Sequence, residues 1–412
     1  MTGIALMLPV TLSVMGAVLL APIMPQLSVQ FGHVANADYW VPALLSVPAL
    51  CIALVAPLVG MLADRIGRRR LLMAAMVIYS IFGVAPLLLD HFVAIMITRV
   101  VVGICEAVVM VCSTAMIGDL FSPQQRDRWL GNQAATASIT AFVLFPVAGW
   151  LGDTLGWRGP FLIYASGLLF LPGVIWLTWE SGGDEHQPDQ QAMMAPHAHK
   201  VRAPLPWRHI LTVCASTLVA GVMFYILQFQ MANAMDGLGV ASSTQTGLLL
   251  SLASLGVPAG AITFALVKKW GASRRGSSRR GLSRISVPTL LLLEFSLLAL
   301  GFYGMARASQ PGTFILPAFV NQFGAGLLLP TLLTWVMQPL SFEVRGRGTG
   351  IWQSTFAAAQ FLSTLSFSFV MARVSSIQSA FLVFSTLAAG YVVVAGIILF
   401  IINARLARQN GR

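Results

Sequence analysis

Residues 39–89 read YWVPALLSVPALCIALVAPLVGMLADRIGRRRLLMAAMVIYSIFGVAPLLL. Two apolar runs, 39–62 and 71–89, flank a short turn that carries Gly60, Asp64, Arg65, Gly67, Arg68, Arg69 and Arg70. Each run is about the 20 residues that an α-helix needs to cross a hydrocarbon core. A backbone exposed to lipid must satisfy its own hydrogen bonds, so each run is expected to be a helix. No stretch of the chain shows the ten-residue alternation of a membrane barrel. The expected fold class is therefore an all-α membrane protein.

The rest of the chain repeats this pattern. Of its 412 residues 57% are apolar and 9% charged, against roughly 25% charged in an ordinary soluble domain, which excludes a soluble enzyme. Twelve apolar runs are long enough to span: 3–21, 39–62, 71–89, 92–116, 130–151, 160–179, 210–231, 245–267, 287–305, 313–337, 348–371 and 377–402. The first is read as an uncleaved helix, because it lacks a basic leader and a second span follows closely. The net charge of +11 is better explained by topology than by nucleic acid. With both termini placed in the cytoplasm, 21 of the 25 basic residues fall in cytoplasmic segments, Arg158, Arg307 and Arg373 fall outside, and Arg99 lies within a span, as the positive-inside rule requires. Cys51, Cys105, Cys112 and Cys214 lie in apolar runs and suggest neither disulfides nor a metal site.

The longest polar interruption is central. The expected organisation is an N-terminal six-helix bundle over 1–180, a cytoplasmic linker over 181–206 rich in Gly, Asp, Gln, His and Pro, and a C-terminal six-helix bundle over 207–412. His186, His197 and His199 in the linker have no regular ligand spacing and receive no role. The element R-x-R-x-x-G recurs after the fourth run (Arg126, Arg128, Gly131) and after the tenth (Arg345, Arg347, Gly350), as parallel repeats would place it.

The turn at 60–70 resembles the loop signature of the major facilitator superfamily of secondary transporters. That resemblance implies two pseudo-symmetric six-helix bundles that rock about a central site. It also implies a latch, in which the loop aspartate caps the eleventh helix and a later arginine pairs with an acid at the end of the fourth. The matching residues here are Gly60, Asp64, Arg68 and Asp119. The second-half counterpart, from Lys268, Lys269 and Gly271 to Arg279 and Arg280, keeps glycine and basic charge but has no aspartate; its seven basic residues between Lys268 and Arg284 read as a topology signal.

The fourth run opens with Arg99 and Gly103, similar to the family's second motif, and Glu106 follows. At about 100° per residue, Arg99, Gly103, Glu106 and Met110 fall within about 60° on one helix face. Intramembrane charges mark substrate or proton pathways by default, and a structural ion pair is the alternative reading. Burial and a neighbouring arginine act in opposite directions on a carboxyl group, so Glu106 is expected to load and release a proton, with Arg99 as its movable counter-charge. Glu294 in the ninth run is a second candidate for proton coupling, with structural burial or snorkelling as its alternative.

In the fifth run Phe145, Pro146, Gly149 and Trp150, followed by Gly156 to Phe161, resemble the drug/proton antiporter branch; Pro146 and Gly149 match, whereas Phe145 and Trp150 stand where that branch has glycine. Uncharged polar residues within the runs, together with Met110, supply a candidate substrate cavity: Asn132, Gln133, Tyr225, Gln228, Asn321 and Gln353. Such groups also serve as interhelical glue.

No phosphate-binding loop ending in Lys-Ser/Thr is present, and no catalytic or metal-ligand set stands at a membrane boundary. The expected protein is thus a monomeric secondary transporter, not an enzyme, in a bacterial cytoplasmic (inner) membrane, with no cofactor or metal. It would export an amphipathic small organic molecule in exchange for protons. The alternative is a proton symporter that takes up an organic anion on Arg99.

Overall fold

The computed structural model describes residues 2–179, 205–273, 287–340 and 342–410. Most of the linker expected at 181–206, and Arg274 to Arg284, lie outside the described residues, as do the side chains of Asp64, Arg126, Arg128 and Arg345. Among the described residues there are helices and no strands. They are α1 (Thr2–Met7), α2 (Val10–Val18), α3 (Met24–Phe31), α4 (Ala37–Ile66), α5 (Arg68–Val84), α6 (Phe92–Leu120), α7 (Pro123–Leu155), α8 (Ser166–Leu177), α9 (Trp207–Gly237), α10 (Ser243–Ser254), α11 (Gly256–Ser273), α12 (Val287–Arg307), α13 (Pro311–Met337), α14 (Phe342–Met371) and α15 (Ile377–Asn410). Ten segments are long and apolar enough to cross a membrane, and one of them, Ala135–Leu177, contains both the fifth and the sixth expected runs. With the shorter Thr2–Val18 the set matches a twelve-crossing chain. Large apolar side chains such as Leu169, Trp176 and Leu316 cover the outside, where a soluble protein would bury them and lipid accepts them.

The element ends follow from local chemistry. Gly67 turns the chain between α4 and α5 at φ 98°, a conformation that costs a side-chain-bearing residue free energy. Ser122, Pro123 and Gln125 start α7 as N-cap, first-turn proline and reciprocal capping partner. Two runs depart from the expected single helices. The first is broken into α1, α2 and α3 and reaches Phe31, because Pro9 and Pro22 cannot supply the amide hydrogens that a continuous helix uses. The sixth begins as a 3-10 helix over Gly156–Ala165.

Close helix packing depends on small residues. A Cβ on Gly260 would overlap the Phe323 carbonyl oxygen of α13 and lie 2.9 Å from the Leu327 amide nitrogen, and one on Gly256 would lie 2.5 Å from the Phe319 carbonyl oxygen. This is a G-x-x-x-G face set against backbone. Backbone cannot swing aside as a side-chain tip can, so Gly260→Leu is expected to cost about 3 kcal/mol, the upper end for overpacking. Thermal unfolding in detergent checks this, with Gly173→Leu, where a Cβ meets nothing within 4 Å, as the neutral control.

Within the first half α4 and α5 pack on α6; within the second, α12 packs on α13 and α15, and α9 packs on α14. The halves meet along α7 against α10 and along α4 against α14. At the end of the molecule away from the arginine-rich turns, this seam is tight. Ser368 Oγ donates to the Asp38 carbonyl at 2.7 Å, and Gln26 Nε2 reaches Ser243 Oγ at 3.0 Å; nearer the middle of α7, Ser251 Oγ donates to the Phe142 carbonyl at 2.7 Å. Gly149 and Gly247 let the backbones of α7 and α10 touch. Toward the arginine-rich end a cavity of about 820 Å³ is lined by α4 (Ile52 to Pro57) and α14 (Arg347 to Ala358).

Candidate functional site

The site is built on the buried face of α6. Arg99 has no solvent exposure and Glu106 is 1% exposed. They share a face, yet no ion pair within 4.0 Å joins Arg99 to any described acid, because seven residues of helix separate the two by roughly 10 Å along the axis. Arg99 instead donates from Nη1 to the Tyr164 hydroxyl at 2.8 Å, and its guanidinium carbon lies 4.7 Å and 5.0 Å from the ring centroids of Tyr164 and Phe161. These are cation–π contacts that replace part of the lost hydration. Nε and Nη2 of Arg99 have no hydrogen-bond partner among the described residues.

The carboxyl of Glu106 lies against α2. A Cβ built on Gly16 would lie 2.5 Å from Oε1 and 2.9 Å from Oε2 of Glu106, so only glycine leaves that space. Oε1 of Glu106 has no hydrogen-bond partner among the described residues. The same short helix is held from α5 by the Tyr79 hydroxyl, which donates to the Leu12 carbonyl at 2.9 Å.

The opposite side of α2 faces a central cavity of about 270 Å³, where Ser13 and Ala17 meet Ser138, Tyr225, Gln228 and Gln360. No residue lining it carries a charge. Tyr225 and Gln228, two of the candidate cavity residues, line it. Behind Gln228 runs a polar chain: Gln228 Nε2 to Gln322 Oε1 at 3.4 Å, Gln322 Nε2 to Asn321 Oδ1 at 3.4 Å, and Asn321 Nδ2 to the Leu298 carbonyl at 3.2 Å. Asn321 is fully buried between α13 and α12 and acts there as a structural hydrogen-bonding group rather than lining the cavity.

The other expected site residues are scattered. Met110 and Gln353 line the larger opening between α4 and α14. Gln133 Nε2 reaches Thr114 Oγ1 at 3.5 Å and ties α7 to α6, while Asn132 is exposed and lines neither cavity. Arg68 forms an ion pair with Asp119 inside the first half. A Cβ on Gly60 would meet nothing within 4 Å, and the Asp64 side chain lies outside the described residues. Glu294 is fully buried between α12 and α13, far in sequence and packing from α6. Among the described residues no group of three or more His, Cys, Asp or Glu is placed to hold a metal.

Asp153, at the end of α7, is a residue that sequence reasoning passed over. Its carboxylate accepts hydrogen bonds from Ser242 Oγ at 2.7 Å, Ser243 N at 2.8 Å, Thr244 N at 2.9 Å and Thr244 Oγ1 at 2.6 Å. One half thus caps a helix of the other, satisfying amides that a helix start leaves open and meeting its positive dipole end. The run Ser242-Ser243-Thr244-Gln245 is a legible helix start, but nothing local to it points to Asp153.

Residues 6–296 match the profile of the family described as the Major Facilitator Superfamily. The tetracycline resistance protein, class C, of Escherichia coli is 31% identical over 225 residues, which is 53% of each chain. A probable L-galactonate transporter of Escherichia coli (strain K12) is 32% identical over 120 residues, 29% of this chain and 26% of that protein. The match therefore spans about half the length, or less, of these curated relatives. The crystal structure of a D-xylose-proton symporter superposes with a TM-score of 0.73 at 15% identity, covering 95% of this chain and 96% of that one. Twelve-crossing architecture and profile agree: the chain belongs to the Major Facilitator Superfamily.

Proposed function

We propose that this protein is a secondary transporter, not an enzyme, which exports an amphipathic small organic molecule in exchange for protons. It works as a monomer in a bacterial cytoplasmic membrane with both termini inside. The observation that carries this reading is the placement of α2, which has the Glu106 carboxyl on one side and the uncharged central cavity on the other. A proton arriving at Glu106 changes the charge pressed against Gly16, and a shift of α2 passes that change to Ser13 and Ala17 in the cavity wall. Substrate and proton then compete through the position of one helix rather than for one atom, which is a differential interaction with two states of the kind that coupling requires.

On this reading the arginine-rich end is cytoplasmic, and the structure is open inward and sealed outward. Residues 1–180 and 207–412 are the two rocking bundles, and 181–206 is their tether. Gly60, Asp64, Arg68 and Asp119 form the inner latch, of which the Arg68 and Asp119 ion pair lies among the described residues; the open space at Gly60 fits this reading. Met110 and Gln353 line the inward mouth, and Tyr225 and Gln228 contact substrate in the cavity. The seal of Tyr164 and Phe161 over Arg99 supports export over the uptake of an organic anion, because a guanidinium with no exposure offers no surface to a carboxylate.

Detergent-purified protein at fixed pH tests the coupling. Pooled amphipathic ligands are expected to evoke proton release from the wild type and none from Glu106→Gln. Proton uptake on ligand binding would indicate symport instead, and equal release from both proteins would remove Glu106 from the mechanism.

A further inference from the structure

Glu294 stands apart from the α6 site, and its surroundings are unusual for an acid. It is fully buried, and no described Lys, Arg or His nitrogen lies within 4.0 Å of it. The helices packed along α12 offer no counter-charge either. Between Pro311 and Met337, α13 contains no ionisable residue, and α15 has only Tyr391 before Arg405. Tyr391 stacks on the Phe295 ring with centroids 3.8 Å apart and lies 3.5 Å from Ser216 Oγ through its hydroxyl. On α12 itself the other ionisable groups are Tyr303, which is exposed, and Arg307 in the last turn.

The hydrogen-bond geometry then constrains the proton. Thr331 Oγ1 lies 2.6 Å from Glu294 Oε1 and 3.0 Å from the Leu327 carbonyl oxygen. A hydroxyl has a single hydrogen, and neither a carbonyl nor a carboxylate oxygen has one to give. With Thr331 donating to Leu327, four residues back as helical threonines do, the 2.6 Å contact contains a hydrogen only when the carboxyl supplies it. The opposite assignment leaves an ionised group with one donor, because Oε2 of Glu294 has no hydrogen-bond partner among the described residues. A carboxylate so poorly satisfied in a membrane interior costs several kcal/mol. The neutral acid satisfies both contacts and removes the charge.

We propose that Glu294 is a protonated carboxylic acid in this conformation, donating to Thr331, and that it is a proton-holding site of the second half, separate from Glu106. Its use in transport rests on the proton-coupled reading above; its protonation does not. The way out of the site follows α13. One turn on, half-buried Thr334 accepts a hydrogen bond from Lys268 Nζ at 3.2 Å, so the hydroxyls of Thr331 and Thr334 lead from Glu294 toward the arginine-rich end.

Infrared difference spectroscopy on the full-length protein in lipid at neutral pH tests the proton directly. Subtracting Glu294→Gln from wild type is expected to reveal one protonated-carboxyl C=O stretch; a carboxylate doublet in its place overturns the proposal. Thr331→Val keeps the carboxyl and removes its acceptor, so the same acid band is expected to move to higher frequency, and this readout stands should Glu294→Gln fail to fold. A carboxylate band that moves in Thr331→Val overturns the proposal equally. The measurement needs no substrate. A protein that shows the acid band without ligand-evoked proton release supports the stored proton and removes the exchange reading, whereas release with a carboxylate band does the reverse.

Discussion

Asp153→Ala is expected to open the sealed end of the molecule. The substitution removes four accepted hydrogen bonds that run from the first half to the second. Bonds to a charged acceptor contribute about 1.5–3 kcal/mol each when buried, but Asp153 is largely exposed, so the set is discounted to about 2–3 kcal/mol in total. That shifts the ratio of closed to open outer seams by about 30- to 150-fold. Asp153→Asn keeps a carbonyl acceptor and is expected to show a smaller shift. The measurement is reactivity of Ser138→Cys, which lines the central cavity, in a background without the four native cysteines. In membrane vesicles of known orientation, a charged thiol reagent should reach this cysteine only from the arginine-rich side when Asp153 is present, and from both sides in Asp153→Ala. Unchanged one-sided labelling would mean that the Gly149 and Gly247 backbone contacts close the seam unaided.

Gly16→Ala is expected to separate transport from folding. The added methyl would lie 2.5–3.0 Å from the carboxyl atoms of Glu106, too close to remain, yet those atoms are the far end of a flexible side chain. The fold therefore yields at a cost of about 1–2 kcal/mol, while the carboxyl is pushed off α2. A displacement of about 1 Å in a functional group can cost about 10²-fold in rate, and under the proposed proton coupling the transport rate is expected to fall by that order. Gly118→Ala, on the same helix as Glu106 and with nothing within 4 Å of its Cβ, is the neutral control. Transport and thermal stability measured on the same preparations decide the matter. Wild-type transport in Gly16→Ala would show that Glu106 does not act through α2.

The apolar runs and the turn at Gly67 were readable because each depends on residues within a few positions of one another. Tyr225 and Gln228 were readable as cavity candidates because polar groups in an apolar helix must face something other than lipid. The same rule misplaced Asn321, which satisfies itself against the Leu298 carbonyl, and Asn132, which is exposed. Helical angle alone put Arg99 and Glu106 together; axial rise and the rings of Phe161 and Tyr164 keep them apart. Ser13, Ser138 and Asp153 carried no readable signal at all.

The division has a physical basis. Hydrophobic length, charge asymmetry and turn chemistry are short-range properties, so the amino-acid order was sufficient for an all-α membrane class and for a loop shared with a transporter family. The sealed end, the cavity wall and the surroundings of each acid depend on pairs such as Asp153 with Ser242 and Gln26 with Ser243, which lie 89 and 217 residues apart. Only packing brings such pairs within hydrogen-bonding distance, and it is that packing which placed Glu106 behind α2, capped α10 from the opposite half and left Glu294 without a counter-charge among the described residues.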